Sequence, residues 1–259
     1  MEKTNQKEVE YMNKPWIDTR LSQECMRYLW ACISEENKEN NSKNLAGNIS
    51  KSELLNDKDN WFYETVLKKP TERLFYDDWN NYRKYAVGKN EDEKPKFEMS
   101  PLWVNYQKQH EFNPLHSHDG LYSFVVFMKI PTHWKEQHAL PISAKSNSPQ
   151  ASDFLFVRSE KNSEICIVDN FPLNSEDEGR MLFFPAWLSH MVYPFYGTEE
   201  ERITISGNID FYDPNRPKMQ GGSGDVYEQK ENMLEMMEIG VESVKKELKE
   251  MKKAREKEE

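Results

Sequence analysis

A chain of 259 residues can hold one large domain with extensions. Its formal charge of −10 is spread widely, and no run of Lys and Arg interleaves with aromatics, so the footprint of a nucleic-acid binder is missing. Aromatic residues reach 12%, which excludes wholesale disorder, and no apolar run approaches the ~20 residues that span a bilayer.

The opening stretch, MEKTNQKEVEYMNK, is polar and mixed in charge, without the apolar core of a signal peptide. Cys25, Cys32 and Cys166 lack CxxC spacing, and the first two fall on one helical face, where packing explains them. Both features predict a cytoplasmic, reduced protein. Leu21 to Ser34 sets Leu21, Cys25, Tyr28, Leu29 and Cys32 along one stripe, the pattern of an amphipathic helix. Glu35 to Lys43 is an Asn-rich loop, and Asn44 to Ile49 is turn-like. Trp61 to Leu67 reads as a short helix. Thr71 to Ala86 repeats Phe75, Trp79, Tyr82 and Ala86 at helical spacing, with Pro70 placed to start it. Gly88 to Lys96 is a charged linker, so the first hundred residues read as helical.

From Phe97 the period changes to that of strands. Trp103 to Tyr106, Leu121 to Ile130, Phe154 to Val157, Ile165 to Asp169, Met181 to Phe184, Met191 to Tyr193 and Ile203 to Phe211 are short apolar or alternating runs between polar turns. Many short strands at intervals of roughly ten residues predict an all-β sandwich or jelly roll, with the front helices covering one sheet. Asp213 to Gly224 is a linker by its Pro and Gly content. Beyond it, Leu234, Met237, Val241, Val244, Leu248 and Met251 form a short heptad seam interrupted by Gly240. A weak homodimeric coiled coil and a single helix docked back on the domain both fit that seam.

The segment HEFNPLHSHDGLYSFVVFMKI, His110 to Ile130, carries the chemistry. His116 and His118 are two residues apart, so on an extended segment they point to one face. Imidazole is the commonest protein ligand for a transition metal, and such a pair is half of a metal site. Alone it is more often a surface pair in a polar turn. A second segment changes that balance. In Gly179 to Asn208, an apolar run ends at Pro185, His190 follows, and Arg202-Ile203-Thr204-Ile205-Ser206 alternates as a half-buried strand does.

A double-histidine motif before a strand, LFFPAWLSH with a distal His, and then RxT resembles the Fe(II)/2-oxoglutarate-dependent oxygenases, in their prolyl-4-hydroxylase-like branch of phage and bacterial type. The likeness covers roughly Trp103 to Tyr212. It implies an α+β, mainly β fold, a double-stranded β-helix (jelly roll). The divisions would be 1–96 helical, 97–212 the oxygenase core, 213–224 a linker and 225–259 a C-terminal helix. It also implies a dioxygenase that uses Fe(II), 2-oxoglutarate as cosubstrate and O2 to hydroxylate an unactivated C–H of a small molecule or peptide, peptidyl proline included. His116, His118 and His190 would hold the metal. Arg202, with Thr204, would bind the far carboxylate of 2-oxoglutarate, because guanidinium grips a carboxylate as a bidentate fork. Read without His190 upstream, Arg202 is a surface strand residue paired with Glu199-Glu200-Glu201.

One position departs from the family's HxD pattern, which here reads His116-Ser117-His118 with Asp119 one residue late. Either His118 replaces the carboxylate, or a kink at Asp119-Gly120 swings Asp119 inward; period two favours His118. Tyr106, Tyr122 and Trp187 would be wall residues or ordinary core, and Asn105 and Asn113 would support the ligands. His110, His133 and His138 match nothing in the pattern and read as surface residues. Two other classes share these features. One is a cupin-like three-His metal protein that does not use 2-oxoglutarate, and the other a partner-binding protein working through its heptads.

Overall fold

The computed structural model describes residues 14–77, 95–159 and 165–212. The end of the predicted helix Thr71 to Ala86, most of the charged linker and everything from Asp213 onward, heptad seam included, lie outside the described residues. No helix among the described residues is long and apolar enough to cross a membrane.

Two antiparallel sheets face each other. The larger contains β1 (Ile17–Arg20), β2 (Lys51–Leu55), β3 (Phe97–Met99), β4 (Leu102–Gln107), β6 (Tyr122–Lys129), β9 (Arg180–Pro185) and β11 (Arg202–Phe211). Its order is β1-β9-β6-β11-β4-β2, with β3 pairing the far end of β11. The smaller holds β5 (Asn113–His116), β7 (Phe154–Ser159), β8 (Cys166–Phe171) and β10 (Ser189–Val192), in the order β5-β10-β7-β8. From β4 to β11 the chain crosses between sheets after nearly every strand, and only β7 and β8 are consecutive in one sheet. That order, β4-β11-β6-β9 over β5-β10-β7-β8, is the double-stranded β-helix, or jelly roll.

Alternation along the strands divides the core in two. On one face of the larger sheet, Val104, Phe124, Val126, Met128, Phe183, Ile205 and Ile209 pack under α1 (Gln23–Ser34) and under the helical run ending in α2 (Lys68–Asp77). Leu29 and Cys32 of α1, with Phe62, Leu67 and Phe75, are the helical side of that cluster. Ser22 caps α1 by accepting from the Cys25 amide. Pro70 lies inside its helix rather than at the start. Its ring would strike the carbonyl four residues back, and the preceding turn is widened to a π-turn at Tyr63–Leu67.

The other face looks into the roll. There Val125, Phe127, Leu182 and Phe184 meet Phe154, Phe156 and Phe171 of the smaller sheet, forming an aromatic core between the sheets. Phe156 is fully buried and touches the rings of Trp16, Phe154, Phe171 and Phe184. Phe156→Ala is expected to cost about 3–5 kcal/mol, read from the urea midpoint; a loss under about 1 kcal/mol would mean the two sheets are not held by this core.

The first hundred residues are not wholly helical. β1, β2 and β3 add to the larger sheet, β1 beside β9 and β2 beside β4. β1 and β2 sit at the sheet's two ends, and β1 reads IDTR with three exposed residues, so it carries almost no alternation to read. β5 hides for another reason: NPLH contains Pro114 and only one apolar side chain besides it, which reads as a turn.

Candidate active site

The mouth of the roll is where β5 and β10 pair. His116 closes β5 and lies directly across from His190 on β10. His118 follows two residues on, its amide donating to the Ala186 carbonyl at 2.9 Å. One ligand atom from each of His116, His118 and His190 falls within 4.8 Å of the others. The strand pairing therefore brings together residues 72 or more apart in sequence, and the i, i+2 spacing directs the first two to the same point.

The tautomers are set by the backbone. His116 Nδ1 lies 2.8 Å from the Pro114 carbonyl and His190 Nδ1 lies 3.0 Å from the Leu188 carbonyl, contacts in which each Nδ1–H donates. The Nε2 lone pairs are then left for a metal. His190 is buried against Phe154, Phe156 and Phe184, and burial with the neighbouring imidazoles holds its pKa down at about 3. Burial, then His116, lowers His118 to about 4. All of this favours neutral imidazole, the ligating form. His118 Nε2 and His190 Nε2 are 3.2 Å apart. Imidazole binds a divalent transition ion at roughly 2.1 Å, which puts two donors at right angles about 3.0 Å apart, so the pair is spaced to share one ion.

Asp119 is exposed and stands outside the cluster. The predicted kink does occur, since Gly120 takes φ +93 with the Ile209 carbonyl 3.0 Å from where a Cβ would be. It turns Asp119 out to solvent. Asp119→Ala is expected to leave metal affinity within about threefold of wild type, because an exposed carboxylate off the cluster contributes little; loss of stoichiometric metal in that variant would exchange the assignments of Asp119 and His118.

Behind the histidines the interior is polar. Arg202 pairs with Gln107, Thr204 with Asn105 and Ser206 with Trp103 across β11 and β4. Ile205, Ile209 and Val104 occupy the helix-covered face, so these six residues line the opposite one. Trp103 reaches the metal end, its ring 6.2 Å from that of His118. Arg202 marks the deep end and is 1% exposed.

The guanidinium is held on three sides. Nη2 donates to both the Ser152 carbonyl and its hydroxyl, Nη1 to Gln107 Oε1 at 3.4 Å, and Cζ stands 5.2 Å from the centre of the Phe195 ring. Burial lowers its pKa only to about 10, so it is a cation at neutral pH. Among the described residues no carboxylate lies at ion-pair distance from it; Glu200 pairs with Lys129 at 2.8 Å instead, which removes the surface-strand alternative. Its Nε, Asn105 Oδ1 and Asn208 Oδ1 are shut from solvent and have no hydrogen-bond partner among the described residues. Unpartnered polar atoms strung along one interior face need a ligand or water to satisfy them. A dicarboxylate with one end at the metal fits that demand.

Some expected roles change. Tyr106 and Tyr122 belong to the helix-covered core, where Tyr106 donates to Glu53 and Tyr122 stacks on Phe183, so neither walls the pocket. Asn113 packs against Gly47, where any Cβ would meet its Oδ1 at 1.6 Å. His138 is not a surface residue: its Nε2 bonds buried Asp153 at 2.9 Å. Trp103, Gln107, Ser152 and Asp153 went unnoticed. The parity of Trp103 and Gln107 with Asn105 could have found two of them. A groove of about 540 Å³ lined by Phe112, Ile142, Tyr193 and Tyr196 includes none of the three histidines, nor Arg202.

Residues 101–208 match the family model described as "Putative 2OG-Fe(II) oxygenase". No curated protein matches the sequence. Among solved structures, the chain is similar to a prolyl-4-hydroxylase from Pseudomonas putida, at 11% identity over 79% of this chain and 97% of that one, TM-score 0.44. It is also similar to a 2OG-Fe(II) oxygenase family oxidoreductase from Burkholderia pseudomallei, at 8% identity, 78% and 87% coverage and TM-score 0.46. A third is the viral collagen prolyl hydroxylase of Paramecium Bursaria Chlorella virus-1 in its 2OG complex, at 15% identity, 76% and 97% coverage and TM-score 0.41. The fold assignment rests on the strand order itself.

Proposed function

We propose that this chain, which belongs to the 2OG-Fe(II) oxygenases through residues 101–208, carries out its hydroxylation with a three-histidine iron site and a buried arginine anchor. The observation that carries this is the cluster of His116, His118 and His190 at one end of a polar interior face, with Arg202 at the other.

His116, His118 and His190 would hold Fe(II) through Nε2. Iron bound there supplies the redox chemistry by which 2-oxoglutarate and O2 become succinate and CO2 while one oxygen atom enters a C–H bond of the substrate. The protein's own part is orientation and exclusion of water. The carbonyls of Pro114 and Leu188 hold two imidazoles in the ligating tautomer. Arg202 would take the distal carboxylate of 2-oxoglutarate, and the Thr204 hydroxyl on the same face would be its second donor. Phe154, Phe156 and Phe184 close the wall behind His190 against water.

The substrate is a peptide or a small molecule. Peptidyl proline is our finer proposal, supported by the prolyl-hydroxylase-like sequence pattern and by an apolar rim. Leu115, beside His116, is 54% exposed, and Trp187 is 58% exposed. Trp187 stands between Ala186, which bonds His118, and Leu188, which bonds His190. Large apolar side chains left in water at such a mouth suit an aliphatic ring. Trp187→Ala is expected to raise KM for a proline peptide about tenfold or more while succinate formation without peptide is unchanged. Equal KM values would remove the rim from the substrate site. A homodimer through residues 225–259 is a second proposal: sedimentation equilibrium should give the full chain twice the mass of one chain and a chain truncated at Gly222 the mass of one, and equal monomer masses would remove it.

A further inference from the structure

Arg202 is buried without a contacting carboxylate among the described residues, yet one charge stands a single residue away from its main hydrogen-bond partner. Asp153 is 0% exposed. Its Oδ2 accepts from His138 Nε2 at 2.9 Å and from Asn170 Nδ2 at 2.8 Å, while Oδ1 has no partner among the described residues. Those two donors come from α3 (Trp134–Ala139) and from β8, so the carboxylate is fixed from two elements. Its neighbour Ser152 adopts φ +75, the left-handed region that few non-glycine residues occupy. In that conformation both its carbonyl and its hydroxyl meet Arg202 Nη2. The hydroxyl also meets Thr132 Oγ1 at 3.1 Å, and the amide donates to the Pro194 carbonyl.

We propose that Asp153 is an internal counter-charge for Arg202 that sets how tightly the anchor holds the distal carboxylate of its ligand. This rests on the reading of Arg202 as the 2-oxoglutarate anchor. A buried cation without compensation is costly, so with the pocket empty the nearby carboxylate stabilises the folded chain. Burial pushes the Asp153 carboxyl up while Asn170, His138 and Arg202 hold it down, and Asp153 in turn holds the Arg202 guanidinium up against burial, in keeping with the backbone that joins Asp153 directly to Ser152 on Nη2. When a dicarboxylate arrives, the same field opposes it. Asp153 therefore trades ligand affinity for stability of the empty protein. A purely architectural aspartate would support both together, so the two roles differ in sign.

Asp153→Asn removes the charge with little change of shape. The amide oxygen can keep both contacts made by Oδ2, and the amide nitrogen falls where Oδ1 makes none. The probes are 2-oxoglutarate and 2-oxobutyrate, which has the same keto-acid end without the distal carboxylate, each titrated calorimetrically into Mn(II)-loaded protein. The expected result is 2-oxoglutarate binding tightened about fivefold or more, 2-oxobutyrate unchanged, and a melting temperature of the empty protein lowered by about 2–8 °C. Weaker or equal 2-oxoglutarate binding in Asp153→Asn, beside a wild type that binds it, overturns the counter-charge role and leaves the anchor standing. A wild type that binds no 2-oxoglutarate overturns both. Should the variant not fold, His138→Ala strips a donor from the carboxylate while leaving its charge, and the affinity ratio of 2-oxoglutarate to 2-oxobutyrate should then fall; a ratio that rises or stays level overturns the role.

Discussion

His190→Ala is expected to bind no stoichiometric metal, where the wild type takes up one Fe(II), or Mn(II) or Ni(II) as a redox-silent substitute, per chain. His190 is the member of the cluster nearest to both others, with ring centres 4.2 Å from His116 and 4.9 Å from His118. Without it the remaining pair comes from one short segment. Loss of a group that merely orients a ligand typically costs 10–100-fold in metal affinity, and loss of the ligand itself costs more. The wall rings of Phe154 and Phe184 remain, so the roll survives with a local cavity, and His190→Gln gives a control of similar volume. Metal analysis after gel filtration, beside circular dichroism, separates the two effects. A folded His190→Ala protein that still carries one metal per chain would remove the three-histidine site.

The second large effect is at Arg202. Arg202→Met keeps an apolar stem of similar length and removes the guanidinium. Truncating one side of a buried charged pair costs about 2–5 kcal/mol, so 2-oxoglutarate should bind about 30-fold more weakly or worse. Metal affinity should not change, because Arg202 lies at the far end of the polar face from the histidines. Ser152 and Gln107 lose their donor in the variant, and each buried acceptor left unpaired costs about 1–3 kcal/mol of stability. Calorimetric titration of 2-oxoglutarate into Mn(II)-loaded wild type and variant measures the first effect, and thermal melting the second. Equal affinities would show that the anchor lies elsewhere.

The β half of the fold could be read because its strands are amphipathic or wholly apolar: the run from Leu121 to Ile130 contains β6, and alternation in Arg202 to Ser206 put the polar side chains of Arg202, Thr204 and Ser206 on one face of β11. What could not be read was made by pairing rather than by pattern. β1 and β2 are polar end strands whose existence depends on β9 and β4 being there to bond them. β5 carries a proline and still sets His116 across from His190. In the site, three histidines could be named from two short segments. Period two favours His118 over Asp119, and it is His118 that stands with His116 and His190 while Asp119 is exposed, which supports that choice of ligand in the proposal. The cradle of Arg202 was out of reach. Ser152 acts through its backbone conformation, and Asp153 is 49 residues before the arginine it faces across the roll, with nothing in LFFPAWLSH or RxT to announce it. His138 looked incidental for the same reason, since its partner is revealed only when α3 sets it beside Asp153.

Iron and 2-oxoglutarate are expected to bind one chain together, the iron at the histidine end of the polar face and the distal carboxylate of 2-oxoglutarate at Arg202. Anaerobic titration of the purified protein with Fe(II) and then 2-oxoglutarate, followed by admission of O2, tests it most directly. One iron and one 2-oxoglutarate per chain, a weak visible absorption band that needs both, and succinate formed only after O2 enters are the predicted results. Iron taken up without any 2-oxoglutarate-dependent band, and no succinate after O2, would contradict the account and place the three histidines in a cupin-like protein that works without that cosubstrate.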